Sequence, residues 1–391
     1  MSFFGDLEFF VYLTFVMIPA IVLGYFEKPL KYYRLFVSVL TILLILGTDK
    51  ISLLFFVVFY FFEYFLIRGY LKVRQQRGRK CIVYRCVLVT SIAPLILCKL
   101  SEVTELSAFQ FLGISYLTFR VVQIIIEIYD GIIKDFRWVD FSDFLLLFTT
   151  FSSGPIDRSR RYLQDASHVL SRRDYSDLIG FGIQKIMIGV GYKFILSSIV
   201  FQIMGEFSAH YRPWEIIAYS YSYGVYMFFD FAGYSAMAIG AGAILGIRVP
   251  ENFNKPFISV DLKEFWNRWH MTLSFWFRDF IFSRIMMGFI RKKVFASKLT
   301  GASIAFIINM TVMGLWHGLT LSYILYGLYH GILLAITEIY QKKAGFYKKN
   351  KRKKWYIAVS WFVTINCIMF GFLIFSGEFV TILELYWESV V

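Results

Sequence analysis

Charged side chains are scarce in this 391-residue sequence: they make up 17% of it, against about a quarter in soluble domains. Hydrophobic residues account for 58% and aromatic residues for 20%, and the mean hydropathy is +0.60. Such a composition argues against an ordinary soluble domain. It predicts a protein that crosses a membrane several times.

Acidic residues are also few, with 27 Asp and Glu against 41 Lys and Arg, so the formal net charge is +14. The basic residues fall in short runs between apolar segments, and two of these runs, 68–85 and 342–354, contain no acid. Basic loops that flank membrane spans follow the positive-inside rule. We therefore place these loops in the cytoplasm and the N-terminus outside, and we expect no nucleic-acid partner.

Cysteine is rare as well. The four cysteines form no CxxC pair and have no metal-ligand spacing with histidine. We therefore expect reduced, packed thiols and no metal site.

Long apolar runs are abundant. A bilayer core of about 30 Å needs about 20 apolar helical residues. The sequence predicts an all-α polytopic membrane protein with about eleven transmembrane helices, plus re-entrant and interfacial helices. The candidate spans are 9–26, 35–47, 51–67, 86–100, 109–129, 178–203, 214–230, 231–247, 301–317, 321–340 and 355–376.

No linker separates these spans, so the sequence predicts one integrated membrane domain over residues 1–391. Residues 1–100 would form peripheral helices, 109–340 the core and 355–376 the last span. Segment 141–155 is apolar but short and ends in Ser-Ser-Gly-Pro. It predicts a re-entrant or buried half-helix.

Ionisable groups inside spans are costly, which makes each one a functional candidate. Arg120, Glu127, Lys185 and Lys193 favour interhelical pairs or snorkelling side chains. Asp230 is too short to snorkel and could equally be a structural anchor or a pocket residue.

The segment 255–279 combines the richest set of polar groups. On one continuous helix, a narrow polar stripe would lie among tryptophans and phenylalanines; its members are Lys263, Asn267, His270, Ser274 and Arg278. An interfacial amphipathic helix would look similar. The mixture of imidazole, amide, hydroxyl and cation favours a cavity wall suited to acid–base and oxyanion chemistry.

Two histidines lie in the apolar stretch 313–331, in the tripeptides Trp316-His317-Gly318 and Tyr329-His330-Gly331. Either one could be a catalytic base or a packed histidine that bridges helices. The residues alone do not separate them.

Two groups of basic residues lie in predicted cytoplasmic loops, and the second of them could dock an acidic or phosphorylated partner. The first is Arg284, Arg291, Lys292 and Lys293, and the second is Arg158, Arg160 and Arg161, which follow a Gly-Pro bend. Both are also what the positive-inside rule predicts for cytoplasmic loops.

Three stretches together resemble the membrane-bound O-acyltransferase family: "KPFISVDLKEFWNRWHMTLSFWFRDFIF" (255–282), "MGLWHG" (313–318) and "FSSGPIDR" (151–158). Within that family they are most similar to the members that D-alanylate teichoic acids in the cell membrane of Gram-positive bacteria. The resemblance implies a fold of many membrane helices around a central tunnel. It also implies that His317 is the catalytic histidine and His270 the second functional one.

The resemblance further implies that the chain binds no cofactor itself. The donor would be D-alanine, held as a thioester on the phosphopantetheine arm of an acidic cytoplasmic carrier protein. The carrier would dock on the first basic group, Arg284, Arg291, Lys292 and Lys293, with the Arg158 group as the second candidate. Further implied partners are an extracytoplasmic membrane-anchored protein, a small membrane peptide and the teichoic acid acceptor. In this hypothesis His317 is the general base, and Asn267 or His270 donates to the oxyanion, while Trp316, Ser274, Arg278 and Asp230 line the tunnel.

Two other functions remain open. An O-acetyltransferase of a cell-wall or exported polysaccharide would use the same histidines. A transporter or flippase would also carry charges inside its spans.

Overall fold

The structure is a computed structural model that describes residues 1–101, 110–207 and 212–390. The described residues are helical, with no strand among them. By the closeness of its Cα atoms the chain divides into two compact units. Unit 1 comprises 1–190 and 233–251, and unit 2 comprises 191–232 and 252–391. The prediction of a single integrated domain stays a prediction.

Among its described residues, unit 1 contains eight complete α-helices. They are α1 Leu7–Tyr25, α2 Lys31–Leu46, α3 Lys50–Arg77, α4 Cys81–Ser101, α5 Ile114–Asp130, α6 Trp138–Leu146, α7 Ser159–Ser167 and α8 Arg172–Val190. Helix α10 spans Pro213–Ile244, and its part from Gly233 onward also belongs to this unit.

Unit 2 contains the rest of α10 and the remaining helices. They are α9 Ser197–Gly205, α11 Leu262–Trp266, α12 Met271–Phe277, α13 Ser283–Arg291, α14 Lys298–His317, α15 Leu321–Lys343, α16 Gly345–Asn350, α17 Lys354–Phe375 and α18 Glu378–Val390. Wider π-helical turns at Gly191–Leu196 and Arg278–Phe282 join α8 to α9 and α12 to α13.

Eight of the described helical segments are long and apolar enough to cross a membrane. They correspond to the predicted spans with three exceptions. Helices α2 and α5 have 16 and 17 residues, which is shorter than the other spans and short for a membrane crossing. The spans predicted at 214–230 and 231–247 are in fact one helix, α10. The helical, multi-pass fold is confirmed.

A glycine of α10 lies at a close contact with α8. In unit 1, a Cβ on Gly240 would lie 2.4 Å from the carbonyl oxygen of Gly182 on α8. The close approach of the two backbones therefore requires glycine at this position. Gly240 thus serves helix packing within α10.

The predicted half-helix is α6, which is followed by a short 3-10 turn at Phe148–Thr150. Residues 141–151 are all buried, so the carbonyls freed at the helix end need donors. Arg120 on α5 supplies them, donating to the carbonyl oxygens of Phe144 (3.0 Å), Leu145 (2.7 Å) and Thr150 (2.5 Å). This buried arginine is thus a structural cap.

The four other ionisable candidates named from the sequence are also partnered. Glu127 accepts from Gln123 (3.2 Å) and from Ser159. Lys185 pairs with Glu251, and Lys193 pairs with Asp230.

Candidate active site

The helix predicted over 255–279 is broken in the structure. Asp261 caps α11 by accepting from the Glu264 N–H (2.9 Å), and this helix ends after only five residues. His270 then adopts a left-handed backbone (φ 41°, ψ 52°), and α12 begins at Met271. The prediction of one continuous polar stripe is therefore wrong.

Asn252 holds this break in place. Its carbonyl oxygen accepts from the Met271 N–H (2.8 Å), and its side-chain oxygen accepts from the Thr272 hydroxyl (2.6 Å). The His270 carbonyl in turn accepts from the Ser274 N–H (3.0 Å), which starts α12. His270 thus occupies the first cap position of α12, buried and edge-on to Phe231 at 4.6 Å between ring centroids.

His317 is the last residue of α14, as the apolar pattern predicted. Its ring is perpendicular to Phe375 at 5.0 Å and roughly parallel to Tyr323 at 5.9 Å. Gly318 leaves the helix in an extended conformation (φ 177°), and its N–H donates to the Gly314 carbonyl (3.2 Å).

His270 and His317 line the same cavity, of about 50 Å³. The other lining residues are apolar or aromatic: Met227, Phe231, Trp266, Trp269, Leu273, Tyr326, Phe372 and Phe375. The space suffices for a few water-sized groups. Two imidazoles in an otherwise apolar cavity can take a proton from a bound hydroxyl group and can donate a hydrogen bond to a carbonyl oxygen.

His270 is a neutral imidazole in this setting. Burial lowers the pKa of its imidazole well below the usual range, and the nearby His317 lowers it further. Over the residues that the structure describes, its Nε2 atom has no hydrogen-bond partner. A buried polar atom without a partner is unusual and is free to meet a ligand.

A second cavity, of about 210 Å³, holds the other members of the predicted stripe. Lys263, Asn267, Ser274 and Arg278 line it together with Asn309, and Trp266 lines both cavities. The Oδ1 atom of Asn309 is buried and also lacks a partner within 1–101, 110–207 and 212–390. Asn267 therefore lines a different cavity from His270 and His317, whereas the Trp266 side chain lines both cavities.

His330 lines neither cavity. It is a buried residue of α15, and its ring packs edge-on against Tyr326 (4.6 Å) and Trp266 (5.3 Å). A Cβ on Gly371 would lie 2.4 Å from its Nε2 atom. Such tight enclosure is that of a packed side chain.

Comparison with known proteins places this site in a family. The membrane-bound O-acyltransferase family model matches residues 126–381, about two thirds of the chain. The matched region includes His270 and His317. The chain belongs to the membrane-bound O-acyltransferase family. It is accordingly an acyltransferase and a multi-pass membrane protein.

Relatives within the family cover nearly the whole chain. It is 39% identical over 395 residues to a teichoic acid D-alanyltransferase of Streptococcus thermophilus. The matched region covers 96% of this chain and 94% of the relative. A Bacillus subtilis protein of the same name is 38% identical over 387 residues, 96% of this chain and 98% of the relative. The probable alginate O-acetylase AlgI of Pseudomonas aeruginosa is 32% identical over 270 residues, 68% of this chain and 49% of the relative.

Two of the remaining tunnel candidates of this acyltransferase, Asp230 and Trp316, lie outside both cavities, whereas Arg278 lines the cavity of about 210 Å³. Asp230 pairs with Lys193 at 2.5 Å. Trp316 packs against His317 at 4.6 Å between ring centroids and lines neither space. Arg278 is more than half exposed, and its Nε donates to Asp279 (2.8 Å).

The candidate docking residues differ in solvent exposure and in ion pairing. Arg291, Lys292 and Lys293 are exposed at the end of α13, and Arg284 is half-buried. In unit 1, Arg160 is exposed, whereas Arg161 pairs with Asp157 and with Asp165 (3.1 Å). Arg161 therefore stabilises its own loop, which favours the α13 group as a docking surface.

Three residues that matter to the site carried no signal in the sequence. Tyr326, Phe372 and Phe375 enclose His317 from α15 and α17, and they resemble the many other aromatic residues of the chain. No group of three or more His, Cys, Asp or Glu that could hold a metal occurs within the described ranges.

Proposed function

We propose that this acyltransferase transfers D-alanine to teichoic acid, with a carrier-protein thioester as the donor. The observation that carries the proposal is the near full-length similarity to proteins named teichoic acid D-alanyltransferase. The cavity shared by His270 and His317 supports it, because acyl transfer needs a base and an oxyanion donor at one place.

His317 acts as the general base. Its neutral imidazole takes the proton of an acceptor hydroxyl, whose oxygen forms a bond to the thioester carbonyl carbon. When the tetrahedral intermediate collapses, the carbon–sulfur bond breaks and the imidazolium returns the proton to the thiolate. A positioned base contributes about 10²–10⁴-fold to such a step.

His270 is the better oxyanion donor of the two residues considered. It shares the cavity with His317, and its unpartnered Nε2 can carry the proton that the oxyanion needs. Asn267 lines the other cavity. An oxyanion donor of this kind contributes about 10²–10³-fold.

The cavity of about 210 Å³ suits the phosphopantetheine arm that carries the donor. Polar groups along its wall, Asn267, Ser274 and Asn309, match the amides of a phosphopantetheine chain, and Arg278 at its exposed end matches the phosphate. Trp266 would then separate the arm from the histidine cavity and contact the acyl group as it passes.

The carrier itself would dock on the exposed basic end of α13, at Arg291, Lys292 and Lys293. An acidic carrier surface complements these charges and would be steered towards them. An extracytoplasmic membrane-anchored protein and a small membrane peptide remain the further partners that we expect.

O-acetylation of an exported polysaccharide is the second candidate. The similarity to probable alginate O-acetylases, at 32% identity over 68% of the chain, favours it. Family membership, in contrast, leaves no need for the transporter or flippase interpretation.

Transfer assays in membranes distinguish these candidates. Membranes that contain the protein are given carrier loaded with labelled D-alanine, or an acetyl donor, and loss of thioester and labelling of acceptor are followed. We expect label from D-alanine, abolished by His317→Ala, with carrier binding and expression retained. The matched control is His168→Ala, which removes an exposed histidine of unit 1 and should leave transfer unchanged. Near-normal transfer by His317→Ala would show the assignment to be wrong, and label from the acetyl donor alone would favour O-acetylation.

A further inference from the structure

A third cavity of unit 2 plays no part in the proposed reaction. It has a volume of about 570 Å³ and lies between α15, α16 and α17 of unit 2. Binding cavities for small molecules usually measure about 300–1,000 Å³. We call it the α15–α17 groove; its wall residues include Leu333, Ile336, Val359 and Val363, and its mouth residues include Lys351 and Arg352.

The walls of the groove are apolar and follow two helices. Leu333, Ile336 and Tyr340 recur at helical spacing on α15, and Val359, Val363 and Cys367 recur on α17. At 1.5 Å per residue, the stretch from Val359 to Cys367 is about 12 Å long. This approaches the depth of one leaflet, which is about half of a 30 Å hydrocarbon core.

The mouth of the groove has the composition of a membrane interface. Tyr340, Phe346, Tyr347, Trp355 and Tyr356 form one aromatic cluster there, with neighbouring ring centroids 5.7–6.2 Å apart. The hydroxyls of Tyr340 and Tyr356 share a hydrogen bond (3.3 Å). Tryptophan and tyrosine concentrate where the hydrocarbon meets the headgroups, with the ring in the apolar region and the polar end in water.

The charge at the mouth is positive. Lys351 and Arg352 line the groove, and the ammonium group of Lys351 lies 5.6 Å from the centre of the Tyr347 ring. The sequence from 339 to 377 contains no acid. The one acid in the lining, Asp261, is engaged: it caps α11 and accepts from Gln341 (2.9 Å).

We propose that the α15–α17 groove binds an anionic phospholipid. One acyl chain lies between α15 and α17, and the phosphate meets Lys351 and Arg352 under the tyrosine hydroxyls. Basic pockets between membrane helices on the cytoplasmic side are typical headgroup sites. The basic loop 342–354 is on that side by the positive-inside rule. A free phosphate would leave the apolar walls unused, and an acidic protein surface would not enter a groove of this depth.

Native mass spectrometry of the full-length protein in detergent tests the site. The protein is titrated with phosphatidylglycerol and, separately, with phosphatidylcholine, and the bound fraction gives each affinity. We expect one preferred phosphatidylglycerol molecule. The double variant Lys351→Gln/Arg352→Gln should weaken its binding about twenty-fold, because each cation near a headgroup contributes several-fold.

The matched control is Lys348→Gln/Lys349→Gln, which removes two exposed charges from the same loop outside the groove. It should change the affinity less than about two-fold. Val363→Trp, which fills the groove, should weaken binding of both lipids, and an unchanged unfolding temperature shows that it folds.

Three results would overturn the proposal: equal effects of the two double variants, no preference between the lipids, or displacement of the lipid by millimolar inorganic phosphate. A fourth is loss of carrier binding by Lys351→Gln/Arg352→Gln with lipid binding unchanged, which would make the mouth a protein-docking surface.

Discussion

Gly318 sets the position of the proposed base, and Gly318→Ala tests this directly. The alanine Cβ would lie 2.5 Å from Cδ2 and 2.8 Å from Cε2 of Tyr323. Carbon atoms pack best at about 3.5–4.0 Å, so the tyrosine ring must move by about 1 Å. The backbone at Gly318 is extended (φ 177°), a conformation that alanine adopts freely. The effect is therefore purely steric.

The displaced ring carries the change to His317. Tyr323 is stacked on that imidazole, and both rings also contact Phe375 at 5.0 Å. Overpacking of this kind costs about 1–3 kcal/mol of folding free energy. A reacting group misplaced by about 1 Å can lose about 10²-fold in rate. We expect kcat for D-alanyl transfer to fall by about that factor, with little change in the affinity for loaded carrier.

The double variant Gly318→Ala/Tyr323→Leu makes the test specific. Leucine removes the ring edge that clashes, so kcat should recover by about ten-fold or more over the single Gly318 variant, a coupling expected only of residues in contact. Gly69→Ala, at an exposed site with no atom within 4 Å of the new Cβ, is the control and should leave kcat unchanged. A normal kcat in Gly318→Ala, or no recovery in the double variant, would refute the reasoning.

Three other changes separate catalysis, folding and docking. His270→Asn keeps a residue that tolerates the left-handed backbone; transfer should fall about 10²–10³-fold while the unfolding temperature holds, and unchanged transfer would exclude an oxyanion role. Arg120→Met leaves three buried carbonyls without their donor and should lower the free energy of unfolding by about 3 kcal/mol or more; a loss below about 1 kcal/mol in denaturant titration would contradict the capping role. Lys292→Glu/Lys293→Glu should weaken carrier binding, more so at low salt, whereas Lys80→Glu should not; calorimetry at two salt concentrations that shows no difference would remove α13 as the docking surface.

Local signals predicted some features of the site well. The apolar run to His317, followed by glycine and a polar break, gave the end of α14. The Ser-Ser-Gly-Pro stretch after a short apolar segment gave the buried half-helix α6. In both places the residues that determine the backbone are neighbours in sequence.

The break at His270 could not be predicted in this way. No glycine or proline occurs between Lys263 and Arg278, and the turn is fixed by Asn252, which lies eighteen residues before His270. The same difficulty applies to the aromatic enclosure of His317. Tyr326 and Phe375 reach it only because α15 packs against α14 and α17 packs against α15.

Arg120 also constrains how the chain enters the membrane. An arginine at the centre of an inserting helix costs about 2.5–3.5 kcal/mol, and α5, with 17 residues, is short for a span. The carbonyls that satisfy this arginine are made only when the ribosome has reached Thr150, thirty residues later. We therefore expect α5 to insert less favourably alone than together with α6, because the end of α6 supplies acceptors for Arg120.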